Sequence, residues 1–181
     1  MIKTIIFDWG GVLIDQPLEE VIKYCAKVLG VELKLLKTIF SEETDIFIEF
    51  QKGTILENTL WKEICDKLNI NEPKSDSLWK EAVNNVFLDK KDMYQLLRDL
   101  RKNGYKIGFL SNTEIPTMEY FYENKYDKYF DAIVFSCAEK IVKPDSKIYN
   151  IILDKLKDKP EEVVFIDDYI ENIEGAIQAG I

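Results

Sequence analysis

The chain has 181 residues, 46% of them hydrophobic and 31% charged, and a formal net charge of −9 with no histidine. That length bounds it to one core with an insertion or to two small domains. An acidic surface with no basic stripe excludes a nucleic-acid backbone as partner, and the missing histidine excludes Ser-His-Asp and Cys-His triads and the usual histidine-containing zinc sites.

Residues 2–7 are short, β-branched and aromatic, with no polar alternation. That pattern predicts a strand buried on both faces, as in a parallel sheet. Asp8 ends this strand and Gly10-Gly11 follow it. A carboxylate at the end of a buried strand is costly unless something pairs with it, and ligands of open parallel sheets bind beyond the carboxyl ends of the strands.

From Gln16 to about Val86 the period changes to helical. Pro17, Glu19 and Glu20 suit a first turn, and Val21, Ile22, Cys25, Val28 and Leu29 form one stripe that Gly30 ends. Short helices are expected around Leu33 to Phe40 and Phe47 to Phe50. Thr54 to Glu57 fits a capping box opening a helix with Leu60, Trp61, Ile64 and Leu68. A polar loop with one proline precedes a last helix over residues 78–86. These aromatics are expected to form the core of a small bundle, with room for one of them to line a pocket.

From Lys91 onward helices and strands alternate. Helices are expected through Met93, Leu96, Leu97 and Leu100 to a close at Asn103-Gly104, over 115–122, from a cap at Asp145 or Ser146 through Ile148 to Leu156, and over 172–179. Strands are expected over 105–110, 130–135 and 163–166, and residues 139–145 read as a loop. Such alternation predicts an α/β fold, a Rossmann-like parallel sheet with crossover helices. The expected domain division is a discontinuous core, 1–15 with 88–181, and an all-helical cap, 16–87, inserted after the first strand.

Three of the strands end in polar residues: Asp8, Ser111, and Asp167 with Asp168. In a parallel sheet these ends share one edge, and Lys143 lies in the loop after the remaining strand, 130–135. Asp8 with Asp167 or Asp168, and the Gly10 carbonyl, supply hard oxygen ligands. Few carboxylates with room for waters suits Mg²⁺ better than Ca²⁺. Ser111, Asn112, Gly11 and Lys143 make the expected substrate-binding set. The hydroxyl and backbone N–H groups hold phosphate oxygens, while the ammonium neutralises the phosphate and keeps Asp8 ionised.

In its motifs the chain resembles the haloacid dehalogenase (HAD) superfamily of phosphatases. The matching segments are residues 5–12, 109–113, 142–145 and 165–168, followed by Asn172-Ile173-Glu174-Gly175-Ala176. The insertion resembles the helical cap of one large branch. The resemblance implies that Asp8 is a nucleophile forming an aspartyl-phosphate. It also implies that Ser111 binds the phosphoryl group, that Lys143 bridges it to Asp8, and that Asp168 binds Mg²⁺ directly or through water while Asp167 takes the other role. Asp8, Lys143 and Ser111 are thus the expected catalytic residues.

Two departures stand out. The family's acid/base aspartate, two residues after the nucleophile, is Gly10 here, as in a branch resembling glucose-1-phosphatase. Relatives also usually continue beyond the position of Ile181 with another strand, so either a truncated record or a reduced sheet edge is expected. The expected activity is Mg²⁺-dependent hydrolysis of a small phosphorylated metabolite, with sugar phosphates the leading class. The rival is a HAD-like phosphate- or partner-binding protein with little turnover because of Gly10. A phosphomutase normally needs the missing acid/base, and a dehalogenase would not need the paired acids of the fourth motif.

The three scattered cysteines, with no CxxC, point to buried thiols in a reducing compartment, the cytoplasm. No leader-like stretch and no apolar run long enough to span a bilayer is visible, so no membrane partner is expected.

Overall fold

In a computed structural model the described residues are 1–15, 17–41 and 44–181. Gln16, where the helical stretch was expected to open, lies outside them. Four strands, β1 (Thr4–Phe7), β2 (Lys106–Ser111), β3 (Ala132–Phe135) and β4 (Val163–Ile166), form one parallel sheet in the order β3-β2-β1-β4.

The first strand is therefore interior, as the apolar run Ile5-Ile6-Phe7 required. Its alternate residues face two packed layers. Ile5 and Phe7 join Ile107, Phe109, Leu97 and Phe121 on one side. Ile6 joins Leu110, Ile148, Ile152 and Phe165 on the other. Helices α6 (Lys91–Lys102) and α7 (Ile115–Glu123) belong to the first side. Helices α9 (Ser146–Leu156) and α10 (Ile170–Gln178) belong to the second. Gly108 explains how β1 and β2 close up: a Cβ there would stand 2.9 Å from the Ile6 side chain and 3.2 Å from that of Leu156.

The register aligns the strand ends. Phe7 pairs with Phe109 on one side and Ile166 on the other, and the Asp8 N–H donates to the Ile166 carbonyl at 2.9 Å. Asp8, Ser111 and Asp167 consequently leave the sheet at the same edge. Strand β3 is shorter than the expected 130–135 and runs straight into a short helix, α8 (Ser136–Glu139), which ends where the expected loop begins.

Between β1 and α6 lie α1 (Pro17–Leu29), α2 (Leu33–Ile39), α3 (Asp45–Gln51), α4 (Glu57–Leu68) and α5 (Leu78–Val86), with a core of their own. Phe40 stacks edge-on with Phe47 and Trp61, and Trp79 packs on Phe40, Phe47 and Phe50. Val28 is exposed, and Ala26 takes the place expected for it on the buried stripe.

The capping box at residues 54–57 does not form. Thr54 hydrogen-bonds instead to the Glu49 carbonyl and carboxylate, and the N-cap of α4 is Leu56, which makes no side-chain cap. Glu57 reaches across to α5, accepting from Trp61 Nε1 at 2.8 Å, the Ser77 hydroxyl at 2.5 Å and the Trp79 N–H at 2.7 Å. Three donors, one of them at the N-terminus of α5, outweigh the single N–H that a local box would satisfy.

Cys25, Cys65 and Cys137 are all buried and unpaired, and burial pushes the Cys25 and Cys137 thiols up to about 12. No helix among the described residues is long and apolar enough to cross a membrane.

Candidate active site

Lys143 is the hub of the sheet edge. Its side chain is only 1% exposed, and its Nζ lies 2.9 Å from Asp8 Oδ1 and 2.5 Å from Asp167 Oδ2. The loop that carries it is clamped by Asn112. Asn112 Oδ1 accepts from the Lys143 N–H at 2.8 Å, and Nδ2 donates to the Lys143 carbonyl at 3.2 Å. The Lys143–Pro144 peptide is cis. Behind this loop Gly175 lets α10 come close: a Cβ there would lie 2.7 Å from both the Pro144 carbonyl oxygen and its Cβ.

Asp8 is buried beside two charges of opposite sign. Burial pushes its carboxyl up, Lys143 opposes that, and Asp167 adds to it; the Ser111 hydroxyl hydrogen-bonds to the charged form. Asp8 Oδ1 is in ion-pair contact with Lys143 yet lacks an aligned hydrogen bond. Asp167 has three donors, for Oδ1 accepts from the Tyr169 N–H and from Asn172 Nδ2, both at 2.9 Å, while Oδ2 takes Lys143. Asp168 is exposed, and one carboxylate oxygen from each of Asp8, Asp167 and Asp168 lies within 4.8 Å of the others.

A cavity of about 400 Å³ opens over this edge. Asp8, Gly10, Ser111, Asn112 and Lys143 line its sheet side, and residues of α1, α3 and α5 line the other. Gly11, expected among the substrate contacts, is not in this lining. It makes the turn after β1 with φ +70°, and its carbonyl accepts from Lys90 Nζ at 2.5 Å. Gly10 does face the cavity; a Cβ at that position would meet only Pro17, at 3.3 Å.

Sequence reasoning missed Gln51, Glu114 and Thr117, which also line the cavity. Glu114 is 6% exposed and accepts from the Thr117 hydroxyl at 2.9 Å, and the same hydroxyl accepts from Trp79 Nε1 at 3.0 Å. Burial pushes the Glu114 carboxyl up, against its hydrogen bonds. The available signal was position: Glu114 follows Ser111 by three residues, on the edge where ligands bind.

A central strand ending in a buried, lysine-bridged acid places the chain among the α/β proteins that work at strand ends. The match to known proteins is narrower. The model of the haloacid dehalogenase-like hydrolases covers residues 2–180, and the chain belongs to that family. Sesquiterpene phosphatase astK of Aspergillus oryzae is 27% identical over 181 residues, which are 99% of this chain and 87% of that protein. D-ribitol-5-phosphate phosphatase of Bacteroides thetaiotaomicron is 29% identical over 184 residues, 96% and 86% of the two chains. A HAD family enzyme of Bacteroides thetaiotaomicron, solved in complex with magnesium and inorganic phosphate, has a TM-score of 0.83 at 26% identity, covering 100% of this chain and 92% of that one. The match to Acyl-CoA dehydrogenase family member 10 of Mus musculus takes in only 17% of that protein.

Proposed function

We propose that the protein is a Mg²⁺-dependent phosphomonoester hydrolase in which Asp8 is transiently phosphorylated. The observation that carries this reading is Asp8 itself, a buried carboxylate ending the central strand, with one oxygen lacking an aligned hydrogen bond and a cavity above it. A buried carboxylate that has one ammonium as partner and opens onto a cavity is poised for an incoming cation and phosphoryl group.

The residues fit Mg²⁺. They offer oxygen donors only, and Asp8, Asp167 and Asp168 cluster tightly. Asp8, the Gly10 carbonyl and Asp168 would hold the ion. Asp167, which accepts from Lys143, Asn172 and Tyr169, positions the lysine and the loop. When bound, the metal neutralises charge on the phosphoryl oxygens.

The chain's own residues do the rest. Ser111 and Lys143 orient the phosphoryl group against Asp8, whose carboxylate oxygen attacks phosphorus as the P–O bond to the alcohol oxygen breaks, the departing alkoxide taking a proton from water. Water then cleaves the acyl phosphate and returns Asp8. Residues 1–15 with 88–181 act as the core of this machine, and residues 16–87 as a cap that keeps bulk water from the acyl phosphate.

The relatives' names divide between a phosphorylated sugar alcohol and a sesquiterpene, so the sugar phosphate expected from sequence is one of two classes at issue. A screen of phosphorylated metabolites with and without Mg²⁺ tests the reading. Turnover that depends on Mg²⁺ and is lost in Asp8→Asn supports it. Turnover retained in Asp8→Asn overturns it, and stoichiometric phosphate binding without turnover favours the binding-protein rival.

A further inference from the structure

The cavity has two unlike halves. The sheet side carries every group assigned above to phosphate. The opposite side is a hydrocarbon wall: Leu18, Val21, Phe47, Ile48, Trp79 and Val83 line it. Among the described lining residues Lys143 is the only basic one, and it is already shared by Asp8 and Asp167. Three acids line the same space, Asp8, Glu114 and Glu171. Glu114 is the one buried carboxyl beside the wall, held there by Thr117, which in turn is held by Trp79.

We infer that the cavity selects phosphomonoesters of apolar alcohols whose only charge is the phosphate, and that Glu114 rejects substrates bearing a second anionic group. The inference rests on the phosphatase reading for the position of the phosphate, and adds what the other end of the substrate must be. A sugar would press several hydroxyls against the wall, with Gln51, Thr117 and Glu114 as the polar groups near it. Hydroxyls buried without partners each cost binding. A second phosphate or a carboxylate would meet no cation there and would be desolvated beside Glu114. A hydrocarbon, in contrast, gains the burial that the wall offers.

Binding of non-hydrolysable phosphonates to the full protein with Mg²⁺, followed by titration calorimetry, tests this without relying on turnover. Kd should tighten by up to about fourfold per methylene from methyl- to hexylphosphonate. 6-Phosphonohexanoate should bind at least about tenfold more weakly than hexylphosphonate, its extra carboxylate being buried unpaired. Glu114→Gln should shrink that ratio to below about threefold, since the repelling charge is gone while the wall remains. Methylphosphonate binding with no gain along the series, or tighter binding of the carboxylate-ended compound, overturns the inference while leaving the phosphate site standing. No binding of methylphosphonate overturns the phosphate site and the inference together. A ratio unchanged in Glu114→Gln removes Glu114 from the selection.

Discussion

Replacing Lys143 by methionine keeps most of the side-chain volume and deletes the ammonium that separates Asp8 from Asp167. Its Nζ is 2.9 Å from one carboxylate and 2.5 Å from the other, and its side chain is 1% exposed, so water cannot take its place. Breaking a buried ion pair by removing one partner costs about 3–5 kcal/mol. Lys143→Met should therefore lose about that much stability at pH 7 without Mg²⁺, as read by urea unfolding.

The pH dependence has a definite sign. Burial and Asp167 both raise the Asp8 carboxyl, and Lys143 is what opposes them. Without the lysine the folded protein holds a proton on this pair more tightly than the unfolded chain does. Stability relative to the parent should then recover as pH falls from the raised folded value towards the ordinary carboxylate range, by at most about 1.4 kcal/mol per pH unit for one proton. It should be lost as pH rises through the same window. A variant that loses less than about 1 kcal/mol at pH 7, or whose difference from the parent is flat with pH, would refute the bridging role. In that case Lys143 would be an ordinary lysine that happens to lie near two acids.

Three further outcomes follow from the same geometry. Mg²⁺ at a hundred times its Kd should add about 2.7 kcal/mol to the unfolding free energy. Asp168→Asn should weaken that Kd, and unchanged affinity would place the metal elsewhere. Gly10 leaves the site without its acid, a loss of roughly 10²–10⁴-fold for alcohols that need protonation. A plot of log kcat/KM against leaving-group pKa for aryl phosphates should fall steeply in the parent and flatten in Gly10→Asp, whose Cβ meets only Pro17 at 3.3 Å; a flat parent plot would show that another residue donates the proton. Gly175→Ala would set its Cβ 2.7 Å from the Pro144 carbonyl oxygen, so the loop carrying Lys143 must shift. A stability loss of about 1–3 kcal/mol with a fall in kcat/KM is expected, and an alanine variant equal to the parent in both would contradict that packing.

The sheet edge was legible because each of its residues sits at a local boundary. Asp8, Ser111 and Asp167 each end an apolar run, and parallel strands bring such ends together whatever the loops do. The clamp on Lys143 was less visible, because Asn112 acts through a contact spanning 31 residues that no local pattern marks. The cavity wall was not legible at all. Phe47 and Trp79 read as core, and they are core, but the same rings also face the cavity. Helical period tells which residues turn inward and cannot tell a packed interior from a pocket. Glu57 failed for a related reason: a capping box is judged on four residues, and the donors that won lie on α5. Gly11 was expected among the substrate-binding groups, whereas its positive φ serves the turn.

The central claim is that Asp8 carries the phosphoryl group. A crystal structure of the full protein grown with Mg²⁺ and beryllium fluoride tests it most directly. The fluoride mimic is expected bonded to an Asp8 carboxylate oxygen, with Ser111 and Lys143 against its fluorines. A mimic bound to any other side chain, or held in the cavity without a bond to Asp8, would contradict it.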